Sequence, residues 1–469
     1  MASSRGRQEA PDAMDAVLKR FVEQSPVTVM TRLALQRAIN AKWVDEVFER
    51  HRDRQYHREL AFSTVVDLMT PVALGLRPSL HAAVQQGPAL PVSITALYDK
   101  VNHTDPAVVR GLVVGSAQRL APVVDSLDGR APQTLLHGYR ARVVDGNHLP
   151  ATDKRIKPLR GFRGAALPGH TLVVYDPDTD MVIDLQPSED AHAAERTLMP
   201  ALLAHAQRGD VWIADRHHCT RAIISLLVAR RAAFILREGG AHPAPEPMGR
   251  RRRMGRVETG AVFEQKVRIP TGDGEWLYLR RVDLELDEPT EDGDTQIRLL
   301  TNLPARITAG KVAQCYRRRW SIEGLFGRLE AALHGEVRTL GQPRAALLAF
   351  GLAVVAYNVL SVVQAAVAAA HDLEAEAMEL STYFVAHEVK ATYVGLVVAV
   401  APATWAPFDG KTPAQLARAL LRFAAHARPE TLRKHPRAPK PKRRKGYAPR
   451  AVVQRKVATA RVLAEGRVV

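Results

Sequence analysis

Residues 311–330 read KVAQCYRRRWSIEGLFGRLE, and the reading of the fold turns on this stretch. It holds no proline, and Val312, Cys315, Ile322, Leu325, Phe326 and Leu329 recur at helical spacing, which predicts one continuous helix. Gly324 and Gly327 are its weak points. Tyr316, Arg319 and Glu323 then lie three and four residues apart on one face. An aromatic ring, a guanidinium and a carboxylate in a row suit a polyanion held near a metal, since the guanidinium forks onto phosphate and the carboxylate takes a hard cation. The same row also reads as an Arg–Glu pair on a solvated helix. The rest of the chain weighs between the two.

Upstream the pattern is α/β. Residues 139–144 predict a strand ending at Asp145-Gly146, 172–175 a second and 181–185 a third, with Asp176-Pro177-Asp178 as a turn. Ser188, with Glu189 and Asp190 behind it, reads as the start of a helix through about Gln207. The apolar run 211–214 is a fourth, buried strand ending at Asp215; a helix follows at 220–231 and a strand at 233–236. Asp145 and Asp215 thus each fall immediately after a strand, where sites assemble in open sheets. Each also reads as an ordinary turn opener. Asp153 rivals Asp145, but it sits in a Lys/Arg-rich stretch rather than at a strand end.

Residues 239–294 break this rhythm. HPAPEPMGRRRRMG reads as a Pro- and Arg-rich loop, and residues 257–270 and 275–287 as a hairpin across Thr271-Gly272-Asp273-Gly274. Residues 297–300 return as a strand of the main sheet. Before residue 127 the pattern is helical, with Ser93 and Asp105-Pro106 as helix starts.

The chain has 469 residues, a net charge of +17 and only two cysteines, Cys219 and Cys315. The charge predicts attraction to polyanions, nucleic acid first. Two cysteines exclude a disulfide framework and fit a reducing compartment, and MASSRGRQEAPDAM lacks the apolar stretch of a secretory signal. His217, His218, Cys219 and Cys315 match no usual structural-zinc spacing. The uncharged run 345–370 is long enough to span a bilayer, but it carries Asn358, Ser361 and Gln364 and reads better as a core helix. The tail from Arg428 is rich in Pro, Lys and Arg, and reads as a disordered arm that lies along phosphates.

In this order the chain resembles DDE transposases of bacterial insertion sequences, specifically the insertion-sequence-4 family, over about residues 130–360. Tyr316, Arg319 and Glu323 match that family's signature, with Trp320 as the usual neighbour; the signature's final Lys is Glu330 here. VVDGNHL around Asp145, Ala214-Asp215-Arg216 and Thr301-Asn302-Leu303 are also similar. The resemblance implies an RNase H-like catalytic core at 131–340 with an all-β insert at about 237–296. Flanking it would be a helical N-terminal domain at 1–130, which would bind DNA, a helical C-terminal region at 341–427 and the basic tail at 428–469.

It further implies a cytoplasmic bacterial enzyme that cuts at the ends of a mobile element and joins the freed 3′-OH to target DNA, passing through a hairpin on the flanking strand. Asp145, Asp215 and Glu323 would hold two Mg²⁺ ions, replaceable by Mn²⁺, with Asp145 bridging them. Tyr316, Arg319, Arg216 and Arg328 would contact DNA, Arg328 in place of the missing lysine. Trp276 would stack on a base pulled from the duplex, or it packs across strands. The partners implied are terminal inverted repeats, target DNA and a second copy of the chain, with no membrane. Two other readings stay open: a relic that binds DNA without cutting it, motivated by Glu330, and a different metal-dependent nuclease on the same fold.

Overall fold

The computed structural model describes residues 15–465 apart from 54, 56–58, 88, 128–133, 240–242, 272–273, 291–292, 333–339, 374–377 and 436–455. Seven helices come first: α1 (Ala16–Gln24), α2 (Pro26–Ala38), α3 (Ala41–His51), α4 (Phe62–Ala73), α5 (Leu80–Gln86), α6 (Ile94–His103) and α7 (Pro106–Asp125). Their starts follow local chemistry. The Ser93 hydroxyl accepts from the Ala96 N–H, and the Asp105 carboxylate from Ala107 ahead of Pro106, whose missing N–H costs nothing at a first turn.

The sheet follows: β1 (Arg140–His148), β2 (Ala166–Leu167), β3 (His170–Asp176), β4 (Met181–Ser188), then α8 (Glu195–Leu203), β5 (Asp210–Ala214), α9 (Arg221–Ala229) and β6 (Ala233–Arg237). Next come β7 (Glu246–Val257), β8 (Gly260–Pro270), β9 (Trp276–Leu286) and β10 (Gln296–Thr301). Nine strands form one mixed sheet in the order β4-β3-β1-β5-β6-β10-β9-β8-β7. β1, β5 and β6 run parallel in the middle, while β3, β4, β10, β9, β8 and β7 are each antiparallel to a neighbour.

Period-two alternation divides the central strands between two cores. Val143, Ile213 and Ile235 face one core, and Val144, Trp212 and Phe234 face the other, which α8 and α9 close with Met199, Leu202, Ile223 and Leu227. The first core is closed by helices from both ends of the chain. After α10 (Ala309–Arg317) and α11 (Trp320–Ala332) come α12 (Pro343–Ala370), α13 (Thr382–Ala399) and α14 (Pro413–Ala424). α12 packs on α2, α4, α6, α7 and α14, so the amino- and carboxy-terminal helices share one core rather than forming two separate units.

Among the described residues two helices, α7 and α12, are long and apolar enough to cross a membrane, but the apolar window of α12 is wholly buried inside the protein. Its Asn358, fully buried, accepts from the Val182 N–H at 2.8 Å and donates to the Val182 carbonyl at 2.7 Å. That pairing covers the outer side of the sheet's edge strand β4. On the same strand Asp184 takes a two-pronged bond from Arg110 of α7.

Several expectations are corrected. Asp145 lies within β1, not after it, because the strand continues to His148 by pairing with β3. The helix expected from Ser188 begins at Glu195, since β4 runs on to Ser188 opposite His170. The arginine-rich segment is a strand, β7, paired with β8 through two register shifts. β7, β8 and β9 extend the main sheet beyond β10. The Gly272-Asp273 pair of the expected turn lies outside the described residues.

The tail also differs from a disordered arm in its described parts. Arg433 bridges to Leu380, and Lys434 pairs with Glu379. Residues β11 (Val457–Ala458) pair with β2, and α15 (Thr459–Ala464) places Arg461 on Asp190. Residues 436–455, the most basic part, lie outside the described residues.

Candidate active site

β1 and β5 are parallel, with Val144 opposite Ala214 as their last aligned pair. Asp145 and Asp215 are the next residues on each, so they stand side by side at about the 4.8 Å spacing of adjacent strands. Asp145 is held in place by its own strand, Asp215 by the short 3₁₀ turn Arg216–His218 that follows it. The Thr301-Asn302-Leu303 segment fixes the neighbouring part of the sheet. The Asn302 amide accepts from Phe234 N–H and donates to the Ala232 carbonyl, in the manner of one more strand residue beside β6.

The stretch expected to be one helix is two. α10 ends at Arg317, α11 starts at Trp320, and between them the N–H groups of Arg318, Arg319, Ser321 and Ile322 bond three residues back instead of four. This tighter winding turns Arg319 inward, where it is 6% exposed. Its Nη1 donates to Asp145 Oδ2 at 2.9 Å and its Nη2 to Glu323 Oε1 at 3.0 Å. The Tyr316 hydroxyl donates to Asp215 Oδ1 at 3.2 Å, and Arg237 Nη1 lies 3.8 Å from the same oxygen. Five of the expected site residues thus converge: Asp145, Asp215, Tyr316, Arg319 and Glu323.

The environment drives the two aspartates apart. Burial raises the Asp145 carboxyl above its ordinary value despite Arg319 and the Gly146 N–H, with Glu195 and Glu323 adding to the rise. Burial acts the same way on Asp215, but the Arg216 N–H, Arg319, Arg237 and the Tyr316 hydroxyl outweigh it and hold that carboxyl below its ordinary value. Opposed shifts in neighbouring acids are a mark of functional sites.

The remaining expected residues lie elsewhere. Arg216 is exposed on the turn after Asp215. Trp276, 36% exposed, opens β9 opposite Pro270, with the Arg268 guanidinium 4.0 Å above its ring. The Arg328 guanidinium donates to the Tyr357 hydroxyl at 2.7 Å and to Asp180 at 3.1 Å. Glu330 is exposed on α11.

Three residues near the site had no signal in the sequence as read. Arg237 was only the end of a strand. Glu195 falls in the middle of the expected helix, and His218 belongs to a His/Cys set that matches no zinc spacing. In the structure Glu195 opens α8, and His218, 1% exposed, donates to it from Nε2 at 3.3 Å. That bond, against opposing burial, holds the Glu195 carboxyl below its ordinary value.

Residues 136–359 match the family model of the transposase DDE domain. The chain carries a transposase DDE domain. The match begins just before β1, ends in α12 and includes Asp145, Asp215, Tyr316, Arg319 and Glu323. The chain has no match among curated proteins.

DDE transposase domains depend on a divalent metal, typically Mg²⁺. Asp145, Asp215 and Glu323 supply the hard oxygen donors that such an ion takes. Among the described residues no three His, Cys, Asp or Glu side chains are placed to hold a metal ion as they stand. The Arg319 guanidinium, spanning Asp145 and Glu323, occupies the cationic position between them. By chemistry alone, three carboxylates suit such an ion.

Proposed function

We propose that this transposase acts by two-metal phosphoryl transfer on an RNase H-like core, with Asp145, Asp215 and Glu323 as the metal-holding acids. The observation that carries this is the parallel register of β1 and β5, which sets two acidic residues side by side, with Glu323 joined to Asp145 through Arg319. The strand order β4-β3-β1-β5-β6, with β3 antiparallel to β1 and β5 parallel to it, is consistent with that core. So is the descent of the chain from β10 into α10 and α11, in the manner of the insertion-sequence-4 family.

Bound Mg²⁺ would supply an activated water and neutralise charge on the phosphodiester in line. The protein's part is to hold and orient. Asp145 sits within a central strand and Asp215 on the turn that directly follows one. Tyr316 fixes the orientation of Asp215 through its hydroxyl. Arg319, freed from the carboxylates, would fork onto a phosphate, and Arg216 at the rim offers a second cation. Trp276, exposed at the start of β9 beside the hairpin turn, is the ring on which an extruded base would stack. The exposed Arg250, Arg252 and Arg253 of β7 continue the basic surface. The substrate would be the element's terminal inverted repeats and the target DNA. Synapsis of two ends calls for a dimer, and the setting would be the bacterial cytoplasm.

The test is cleavage of a labelled duplex carrying the element's end with Mg²⁺, comparing the parent with Asp215→Asn. Nicking by the parent, and binding without nicking by the variant, is the expected result. Equal nicking by both would remove Asp215 from the site. A second reading, a DNA-binding relic, is favoured by the exposed carboxylate of Glu330 where the resemblance calls for lysine. If the parent binds without cutting and Glu330→Lys restores cutting, that reading is correct for the natural chain.

A further inference from the structure

The acids of the site are carried by two separate strands, and their spacing depends on what holds β1 and the turn after β5 together. One group touches both. Glu195, the first residue of α8, lays its carboxylate over Gly146, the residue after Asp145. A Cβ built on Gly146 would stand 2.0 Å from Glu195 Oε1 and 2.4 Å from its Cδ. The other carboxylate oxygen receives His218 Nε2 at 3.3 Å. His218 lies three residues past Asp215, and its backbone N–H bonds the Asp215 carbonyl at 3.0 Å. The ring is completely enclosed, so it has no freedom to follow Glu195 elsewhere. The path from Asp145 through Gly146, Glu195 and His218 to Asp215 is therefore continuous.

We propose that Glu195 is a positioning residue: packed on Gly146 and bonded by His218, it sets the separation at which Asp145 and Asp215 share a divalent cation. The proposal rests on the reading of the site given above. Glycine at position 146 has a specific use in it. With no side chain there, the strand admits the Glu195 carboxylate against its backbone; any Cβ would displace the flexible end of Glu195 while leaving the strand intact.

The test is Mn²⁺ affinity of the full chain without DNA, read from the electron paramagnetic resonance of free Mn²⁺, with melting temperature measured in parallel. Removal of an outer-shell partner of a metal site typically costs about 10–100-fold in affinity. Glu195→Ala and Gly146→Ala should each weaken Mn²⁺ binding at least about tenfold. Glu195→Gln, which keeps the size and an acceptor oxygen for His218, should recover most of the loss. A pair that merely staples α8 would lower the melting temperature and leave Mn²⁺ affinity unchanged.

Parent-like affinity in Gly146→Ala and Glu195→Ala overturns the proposal; if Glu195→Ala does not fold, Gly146→Ala decides alone. Asp145→Asn separates the two levels. If it abolishes Mn²⁺ binding while the Glu195 and Gly146 variants do not, only the role of Glu195 fails. If it too binds like the parent, the site reading fails and takes the proposal with it.

Discussion

Arg319 and Asp145 are joined at 2.9 Å between Nη1 and Oδ2, and the other arm of the same guanidinium holds Glu323. The guanidinium that would bind DNA thus bridges two of the acids. Arg319→Ala leaves Asp145 facing Glu195 and Glu323 without its counter-charge. The cost is expected at about 1–3 kcal/mol, below that of a fully buried broken pair because Glu323 is half-exposed. Added Mg²⁺ should then raise the variant's melting temperature more than the parent's, since the ion binds only the folded site. Equal Mg²⁺ shifts in the two proteins would show that Arg319 and the ion do not compete.

Tyr316 bonds Asp215 through its hydroxyl, at 3.2 Å. Tyr316→Phe should lower the nicking rate by about tenfold, the worth of roughly one hydrogen bond to a charged group. Asp215→Asn should lower it by about a thousandfold, several kcal/mol of lost metal-borne stabilisation. Single-turnover cleavage of end-bearing duplex measures both. The ordering is the prediction: a larger loss in Tyr316→Phe than in Asp215→Asn contradicts the assignment.

Trp276 already carries one flat cation on its face, Arg268 at 4.0 Å. An extruded base would compete for that face. Trp276→Ala should spare first-strand nicking and reduce hairpin product by about 5–150-fold, the equivalent of the 1–3 kcal/mol that one base–aromatic stack is worth. Uniform loss of nicking and hairpin together would instead mark Trp276 as a packing residue of the β8–β9 pair.

Asn358 makes both of its bonds to one residue, Val182. Asn358→Leu would strand a buried N–H and a buried carbonyl at about 1–3 kcal/mol each, for a loss of about 2–6 kcal/mol in denaturant unfolding. A neutral result would mean that β4 finds another partner.

The Glu195 carboxyl sits below the usual glutamate value of 4.5, chiefly through His218. An acid with a depressed folded-state value adds stability above its unfolded value and loses it as pH falls through the folded one. The parent should therefore lose stability relative to Glu195→Gln as pH drops below about 4.5, while keeping its advantage at neutral pH. Parallel stability–pH curves for the two proteins would refute this.

Local chemistry made much of the chain legible in advance. Helix caps at Ser93, Asp105 and Thr220 act within three residues of themselves, so a short window contains both partners. The buried strand ending at Asp215 announced itself by an unbroken apolar run between turn residues. Sequence patterns of this kind do not reach across the chain. β7 reads as a loop because its arginines, proline and glycines carry no alternation; it is a strand because β8 pairs with it. The docking of the tail depends on Asp190 meeting Arg461, 271 positions away.

The sequence by itself determined the order of three acids, a tyrosine and an arginine along the chain, on segments whose types follow from periodicity and caps. Only the tertiary structure decided how they meet. Every residue from 311 to 330 tolerates a helix, yet the helix breaks before Trp320, and there Arg319 is drawn to a carboxylate 174 positions earlier. Gly146, Glu195 and His218 are unremarkable in a linear reading, and they become one strut because the parallel register of β1 and β5 brings the ends of two distant strands together. Contacts between residues far apart in the chain are paid for by the collective burial of the sheet, and no local preference encodes them.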